Sequence, residues 1–143
     1  MTSRGNAAYA DPTALAEARE QSLQAELHAR CVRLSFPEVV RALVGIVGKK
    51  LTAYIASVKD VRSVEKWMAG AEPYKGSDLR LRTAYLTASL LATREAPEVI
   101  QRWFVGLNPE LDDRSAATLL RDGEIEVAGP AVLRAARTFI AGG

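Results

Sequence analysis

The chain has 143 residues, of which 48% are hydrophobic and 25% are charged. This length and composition fit one compact domain or two very small ones, and they exclude wholesale disorder. The longest uncharged stretch, residues 83–93, is far shorter than the about 20 apolar residues that a membrane-spanning helix needs. The first ten residues contain no apolar core of a secretory signal. We therefore expect a soluble, cytoplasmic protein without a membrane partner.

The charge of the chain is unevenly distributed around its net value of +2. Residues 1–34 are neutral, residues 35–76 carry +3 and residues 77–143 carry −1. Within the last part, residues 108–126 hold six acidic side chains against two arginines. A basic middle followed by an acidic patch fits two different partners, although an ordinary solvated surface has the same pattern.

Helix-capping residues, glycines and prolines divide the chain into eight predicted helices, so the predicted fold class is all-α. Asp11-Pro12 is typical of an N-cap followed by the first helical residue, and Phe36-Pro37 ends one helix and begins another. Gly129-Pro130 is expected to open the last helix, with residues 124–127 as a linker. The predicted helices cover residues 12–33, 36–47, 49–56, 61–69 and 77–93, then begin at 97, 115 and 130.

The first predicted helix has only a narrow apolar stripe, which repeats at roughly helical spacing. Such a stripe can dock on the core, pair with a second copy of the chain, or belong to a loosely held arm. Its members are Leu15, Leu23, Leu27, Cys31 and Leu34.

Signals for enzyme chemistry are weak. Residues 45–50 (GIVGKK) resemble the end of a phosphate-binding loop, but the first glycine and the magnesium-binding hydroxyl are missing. His28 has the neighbours of a surface residue, and Asp112-Asp113 fits a helix cap better than a carboxylate pair. Cys31 is the one cysteine and is expected to be a small core or interface residue. We predict no catalytic residue, no metal site and no cofactor.

The strongest local pattern is a helix–turn–helix in residues 48–70. Its second helix should bury Val64 and Trp67 and leave a polar face open, which is the arrangement that DNA recognition requires. Glu65 on that face opposes DNA binding unless it contacts cytosine, and a plain helical scaffold has the same pattern. The predicted DNA-binding residues are Lys49, Lys50, Lys59, Arg62, Ser63 and Lys66.

Six segments of the chain, two in its middle part and four in its C-terminal part, resemble a known family. Residues 51–56 (LTAYIA) and 64–70 (VEKWMAG) are similar to the Xre-like helix–turn–helix of bacterial antitoxins. Residues 99–106 (VIQRWFVG), 107–111 (LNPEL), 119–123 (LLRDG) and 132–140 resemble, in that order, the toxin-binding domain of Xre/MbcA/ParS antitoxins. The resemblance covers residues 36–143, and it departs from the family where residues 115–117 (SAA) replace a proline that often opens that helix.

The resemblance implies a type II antitoxin whose partner is a RES-domain toxin that destroys NAD. It implies an N-terminal extension (1–35), a helix–turn–helix domain (36–95) and a toxin-binding domain (96–143), whose end obstructs the NAD cleft of the toxin. Trp103, Leu107, Asn108 and Pro109 would organise the toxin-binding fold, and residues 134, 137, 138 and 141–143 would lie near the cleft. The implied toxin-binding residues are Trp103, Asn108, Arg134, Arg137, Thr138, Ala141, Gly142 and Gly143.

Other functions fit the same sequence. The helix–turn–helix of such proteins often binds the promoter of its own operon, so promoter DNA is a second expected partner. The chain is alternatively a stand-alone transcriptional regulator whose C-terminal domain serves dimerisation, or an antitoxin that no longer binds DNA and uses the helix–turn–helix for oligomerisation. A homodimer or a hetero-oligomer with the toxin is expected in each case.

Overall fold

A computed structural model describes residues 11–142. In this range the chain forms eight α-helices and one two-stranded sheet, so the predicted all-α class is confirmed. The short antiparallel strands β1 (Leu107–Asn108) and β2 (Arg114–Ser115) flank a 3-10 helix at Pro109–Leu111. The helices are α1 (Pro12–Arg33), α2 (Phe36–Val47), α3 (Lys49–Ala56), α4 (Val61–Met68), α5 (Ser77–Leu91), α6 (Pro97–Val105), α7 (Ala116–Asp122) and α8 (Ile125–Ile140).

The first helices begin where local capping chemistry predicts. Asp11 Oδ1 accepts a hydrogen bond from the amide of Thr13 at 3.1 Å, and Asp60 Oδ1 accepts one from the amide of Arg62 at 2.9 Å. At the start of α2, Ser35 and Glu38 form a reciprocal capping box. The hydrogen bonds from Ser35 hold the pKa of the Glu38 carboxyl below its usual range.

Helix α5 is the centre of the fold. It packs against α1, α2, α3, α7 and α8, and it buries residues on nearly every side, including Leu81, Ala84, Thr87 and Leu91. A helix surrounded in this way buries residues on several sides instead of along one stripe, and here Ser77 and Thr87 are polar residues among them. Its first turn is the exception, because Leu79 is 48% exposed.

The last helix begins earlier than Gly129-Pro130, so that prediction is wrong. Helix α8 starts at Ile125 after the N-cap Glu124, and Pro130 lies inside it. Pro130 is exposed, so water can reach the Glu126 carbonyl that lacks its helical partner. Gly129 serves helix packing, because a Cβ there would lie 3.3 Å from the Cγ2 atom of Thr83 on α5.

The apolar stripe of α1 docks only along its C-terminal half. Leu27 and Cys31 are buried, whereas Leu15 is 48% and Leu23 is 36% exposed. The N-terminal half of α1 therefore lies over the other helices with little buried area to hold it. Within this chain, α1 is therefore docked on the core at its C-terminal end, and pairing of its exposed leucines with a second copy of the chain stays a prediction.

Arg82 of α5 fixes the docked end of α1. Its Nη1 atom donates to the carbonyl oxygens of Cys31 at 2.7 Å and Leu34 at 2.8 Å, and its Nε atom donates to Asp78 at 2.9 Å. The Cys31 thiol donates to the Arg82 carbonyl at 3.4 Å. Burial raises the pKa of the Cys31 thiol, so the thiolate is suppressed where α1 stays docked.

Replacing Arg82 should release α1. In Arg82→Met, the carbonyls of Cys31 and Leu34 lose a charged donor, which we expect to lower the free energy of unfolding by about 2–4 kcal/mol. Exposure of Cys31 should also lower its thiol pKa toward the ordinary value, so a thiol reagent should label it faster at neutral pH.

Arg80→Met is the matched control, because Arg80 of the same helix donates from Nε to the Leu120 carbonyl of α7 at 3.2 Å and does not contact α1. Labelling of Cys31 in this variant should stay at the wild-type rate. Equal labelling rates in the two variants would contradict the role of Arg82 in holding α1.

Candidate functional site

The helix–turn–helix predicted in residues 48–70 is present as α3, a turn and α4. The turn is closed by the Val58 amide, which donates to the Ala53 carbonyl at 3.1 Å, and by Ser57, which takes a left-handed conformation at φ 64°. Asp60 then caps α4. The order of elements matches the prediction, and the short turn fixes the angle at which α4 leaves α3.

An aromatic cluster anchors the second helix of this motif. The Trp67 ring packs edge-on against Phe36 at 5.5 Å and against Tyr74 at 5.2 Å between ring centroids. Arg41 of α2 donates to the Met68 carbonyl at 2.7 Å and so satisfies the C-terminal end of α4. Helix α4 is therefore held on one side only, as a helix that reads a groove must be.

The predicted DNA-binding side chains on the open face of α4 differ in how exposed they are and in which groups they already contact. Arg62 is 82% exposed and reaches back to Asp60 at 3.4 Å, and Lys66 is exposed. Ser63 is half-buried, with its hydroxyl 3.3 Å from that of Tyr74. Arg62 and Lys66 are therefore the side chains of this face that are best placed to reach a partner.

The other three predicted lysines lie around that face. Lys49 donates to Glu65 at 2.9 Å, so the one carboxylate on the reading face neutralises a cation beside it. Lys50 and Lys59 are exposed on α3 and the turn. Six residues that the sequence predicts as a DNA-binding set thus lie on one motif, with part of their charge balanced internally.

The predicted toxin-binding residues divide into supports and exposed groups. Trp103 is half-buried, packing edge-on against Phe104 at 5.3 Å and tilted against Phe139 at 6.5 Å. Asn108 caps the 3-10 helix, because its Oδ1 atom accepts from the Glu110 amide at 3.0 Å. The resemblance implies that Leu107 helps to organise this fold. Its side chain is 77% exposed, and its backbone pairs with Ser115.

The other predicted toxin-binding residues that the structure describes lie at the C-terminal end of α8, where Arg137 is half-buried and the rest are exposed. Arg134, Arg137, Thr138 and Ala141 line one wall of an open groove of about 490 Å³, and α1 forms the other wall with Glu17 and Glu20. Among the described residues, no ion pair within 4.0 Å crosses this groove. Gly142 follows in a left-handed conformation at φ 101°, and Gly143 lies outside the described residues.

One contact between the two predicted domains was not predicted from the sequence. Arg121 of α7 donates to the Tyr54 carbonyl of α3 at 2.7 Å, and its guanidinium lies 4.5 Å from the centroid of the Tyr54 ring. The Tyr54 hydroxyl lies 2.9 Å from the hydroxyl of Thr118. The spacing of Tyr54 in α3 predicts an inward side chain, whereas the structure places it half-exposed against α7.

Residues 11–142 contain no group of three His, Cys, Asp or Glu side chains arranged to hold a metal ion. Asp112 and Asp113 take left-handed conformations in the turn before β2, and His28 is exposed on α1. In the same part of the chain, no helix is long and apolar enough to cross a bilayer. The absence of catalysis and of a cofactor stays a prediction, and the arrangement offers surfaces for binding.

Comparisons with protein-family models, with curated proteins and with solved structures found no match to this chain. The antitoxin resemblance therefore stays a prediction from the ordered motifs.

Proposed function

We propose that this chain is an antitoxin that binds a RES-domain toxin and blocks the NAD cleft of that toxin with its C-terminal region. The observation that supports this proposal is the groove at the end of α8, where Arg134, Arg137, Thr138 and Ala141 share one wall. These are the residues that the family resemblance implies for contact with the toxin. The proposal assigns the chain an inhibitory role and no reaction of its own.

The end of α8 has the physical properties of a plug. Ile140 is buried and anchors the last turn to the core, while Ala141 and Gly142 continue beyond it with small or absent side chains. Such a segment can enter a narrow cleft, since glycine adopts unusual backbone angles and has no side chain to clash. Arg134 and Arg137 would pair with acidic groups of the toxin, where bidentate hydrogen bonds add specificity.

We propose promoter DNA as a second partner, because α4 is anchored on one side and presents Arg62 and Lys66 on the other. Arginine can donate to both acceptors of a guanine edge, and lysine can bind a base or a phosphate. A homodimer would place two such helices at half-sites about 34 Å apart, one turn of DNA. A stand-alone regulator with a C-terminal dimerisation region is the alternative, as is an antitoxin that does not bind DNA.

The toxin-blocking role predicts that the tail and the arginines of α8 are needed for inhibition. Because Ile140 is buried, the truncation should remove only residues 141–143. We expect this truncation, and separately the pair Arg134→Glu and Arg137→Glu, to weaken inhibition of NAD consumption by the RES-domain toxin proposed as the partner. Loss of well-formed charged contacts should raise the inhibition constant by at least about tenfold.

Lys75→Glu is the charge-matched control for Arg134→Glu and Arg137→Glu made singly, because Lys75 is exposed before α5 and does not line the groove at the end of α8. It should inhibit as the wild type does. Full inhibition by both the truncated protein and the Arg134→Glu, Arg137→Glu pair, with thermal unfolding unchanged, would contradict the proposed role of the C-terminal region in blocking the cleft.

The DNA-binding role predicts opposite effects for charges on the same face. Arg62→Ala and Lys66→Ala should each lower affinity for the promoter, whereas Glu65→Gln should raise it, because a carboxylate that repels phosphates is removed and Lys49 is freed. A gel-shift titration at several salt concentrations measures both effects, and the alanine variants should show a shallower salt dependence.

Arg94→Ala serves as the control for this titration, since Arg94 is exposed at the opposite end of α5. Equal affinities for the wild type and all four variants would show that α4 does not read DNA. In that event the helix–turn–helix would have only a structural or oligomeric role.

A further inference from the structure

A groove runs along the side of the helix–turn–helix, between α3, the turn and α7. It has a volume of about 560 Å³, and it is open to solvent. Its walls come from both halves of the chain, because α7 follows the predicted domain boundary at residue 96. The lining residues that the argument uses are Lys50, Tyr54, Lys59, Asp60 and Arg121.

The groove carries an excess of positive charge. Lys50, Lys59 and Arg121 are its cations, and Asp60 is the only acidic residue among its lining side chains in the described part of the chain. Asp60 is already engaged, because one carboxylate oxygen caps α4 and the other lies 3.4 Å from Arg62. Among the described residues, Lys50 and Lys59 form no ion pair within 4.0 Å, whereas Arg121 lies 3.7 Å from Asp122. The groove therefore keeps an excess of positive charge that can attract an anion.

Arg121 is held in place at the edge of this groove. One guanidinium nitrogen donates to the Tyr54 carbonyl, and the guanidinium lies over the Tyr54 ring. Its Nε atom lies 3.7 Å from Asp122, beyond hydrogen-bonding distance. A guanidinium has five N–H donors, so most of them are free for a further acceptor, and little side-chain freedom is lost when one binds.

The position of the groove favours the phosphate of a DNA backbone as the anion. The groove borders the first residues of α4, the end that enters the major groove in a helix–turn–helix complex. Phosphates line both edges of the major groove, so cations that flank the reading helix meet them. Half or more of the hydrogen bonds in such complexes go to phosphates and sugars.

We infer that Arg121 of α7 is a DNA-backbone contact, which forms a phosphodiester-binding groove together with Lys50 and Lys59. This inference rests on the proposed DNA-binding function and extends it beyond the helix–turn–helix. The C-terminal region then contributes directly to the DNA interface, through a residue that the helix–turn–helix pattern does not include.

The test is the salt dependence of binding to a generic DNA duplex, which needs no knowledge of the operator. Each phosphate contact contributes about 0.9 to the slope of log K against log salt. Arg121→Gln should reduce the magnitude of that slope by about one, as should Lys50→Gln. Arg121→Lys keeps the charge and should keep the slope.

Two controls separate charge from structure. Thr118→Val removes the hydrogen-bond partner of the Tyr54 hydroxyl without changing charge, so it should lower the unfolding temperature and leave the slope unchanged. Arg94→Gln removes an equal charge at the far end of α5 and should also leave the slope unchanged. Replacing chloride by inorganic phosphate at equal ionic strength should compete no better than its ionic strength predicts.

The outcomes distinguish this inference from the function on which it rests. A wild-type slope in Arg121→Gln, with a reduced slope in Lys50→Gln, would overturn the role of Arg121 and keep DNA binding. No binding of the wild-type protein to any duplex would overturn both. Strong competition by inorganic phosphate would make the groove a site for a free anion and overturn the inference alone.

Discussion

The packing of α5 is the constraint on which the rest of the structure depends. Five helices pack against it, so it buries residues on several sides, and its side chains must be small where helices approach closely. The contact between Gly129 and Thr83 shows how close that approach is for α8. The polar side chain of Arg82 on this helix donates to the carbonyl oxygens of Cys31 and Leu34 at the end of α1, and to Asp78 of α5.

The two candidate binding surfaces lie at opposite ends of this central helix. Near its N-terminal end, Arg80 bonds to α7, and α7 in turn carries Arg121 against α3 of the helix–turn–helix. Near its C-terminal end, Thr93 and Arg94 share a cavity with Ile140 and with residues of α1. One small chain therefore has room for a DNA partner and a protein partner that do not compete for the same residues, which suits the proposed dual role.

The sequence predicts those parts of the fold that local chemistry decides. Asp11, Asp60 and the prolines at positions 12, 37 and 97 begin helices through hydrogen bonds and dihedral angles within a few residues. Gly129-Pro130 led to a wrong prediction for the start of α8, because the same dipeptide is typical of a helix start. Its role here comes from α5, which is distant in sequence, and tertiary contact overrides the local pattern.

The parts that the sequence does not predict are likewise set by distant partners. The exposure of Leu15 and Leu23 depends on how far the other helices extend beneath α1, and no periodicity carries that information. The strands at Leu107 and Ser115 are two residues long, too short for an alternating pattern. Arg121 bonds to a residue 67 positions earlier in the chain, so its part in the groove appears only after folding.

The central claim is that this protein acts by occupying the cleft of another protein and not by a reaction of its own. The most direct measurement is the initial rate of NAD consumption by the purified RES-domain toxin proposed as the partner, over a range of NAD concentrations, with and without this protein. The account predicts that the apparent KM for NAD rises while kcat is preserved, since bound NAD and bound inhibitor exclude each other. Unchanged NAD consumption with this protein in excess would contradict it.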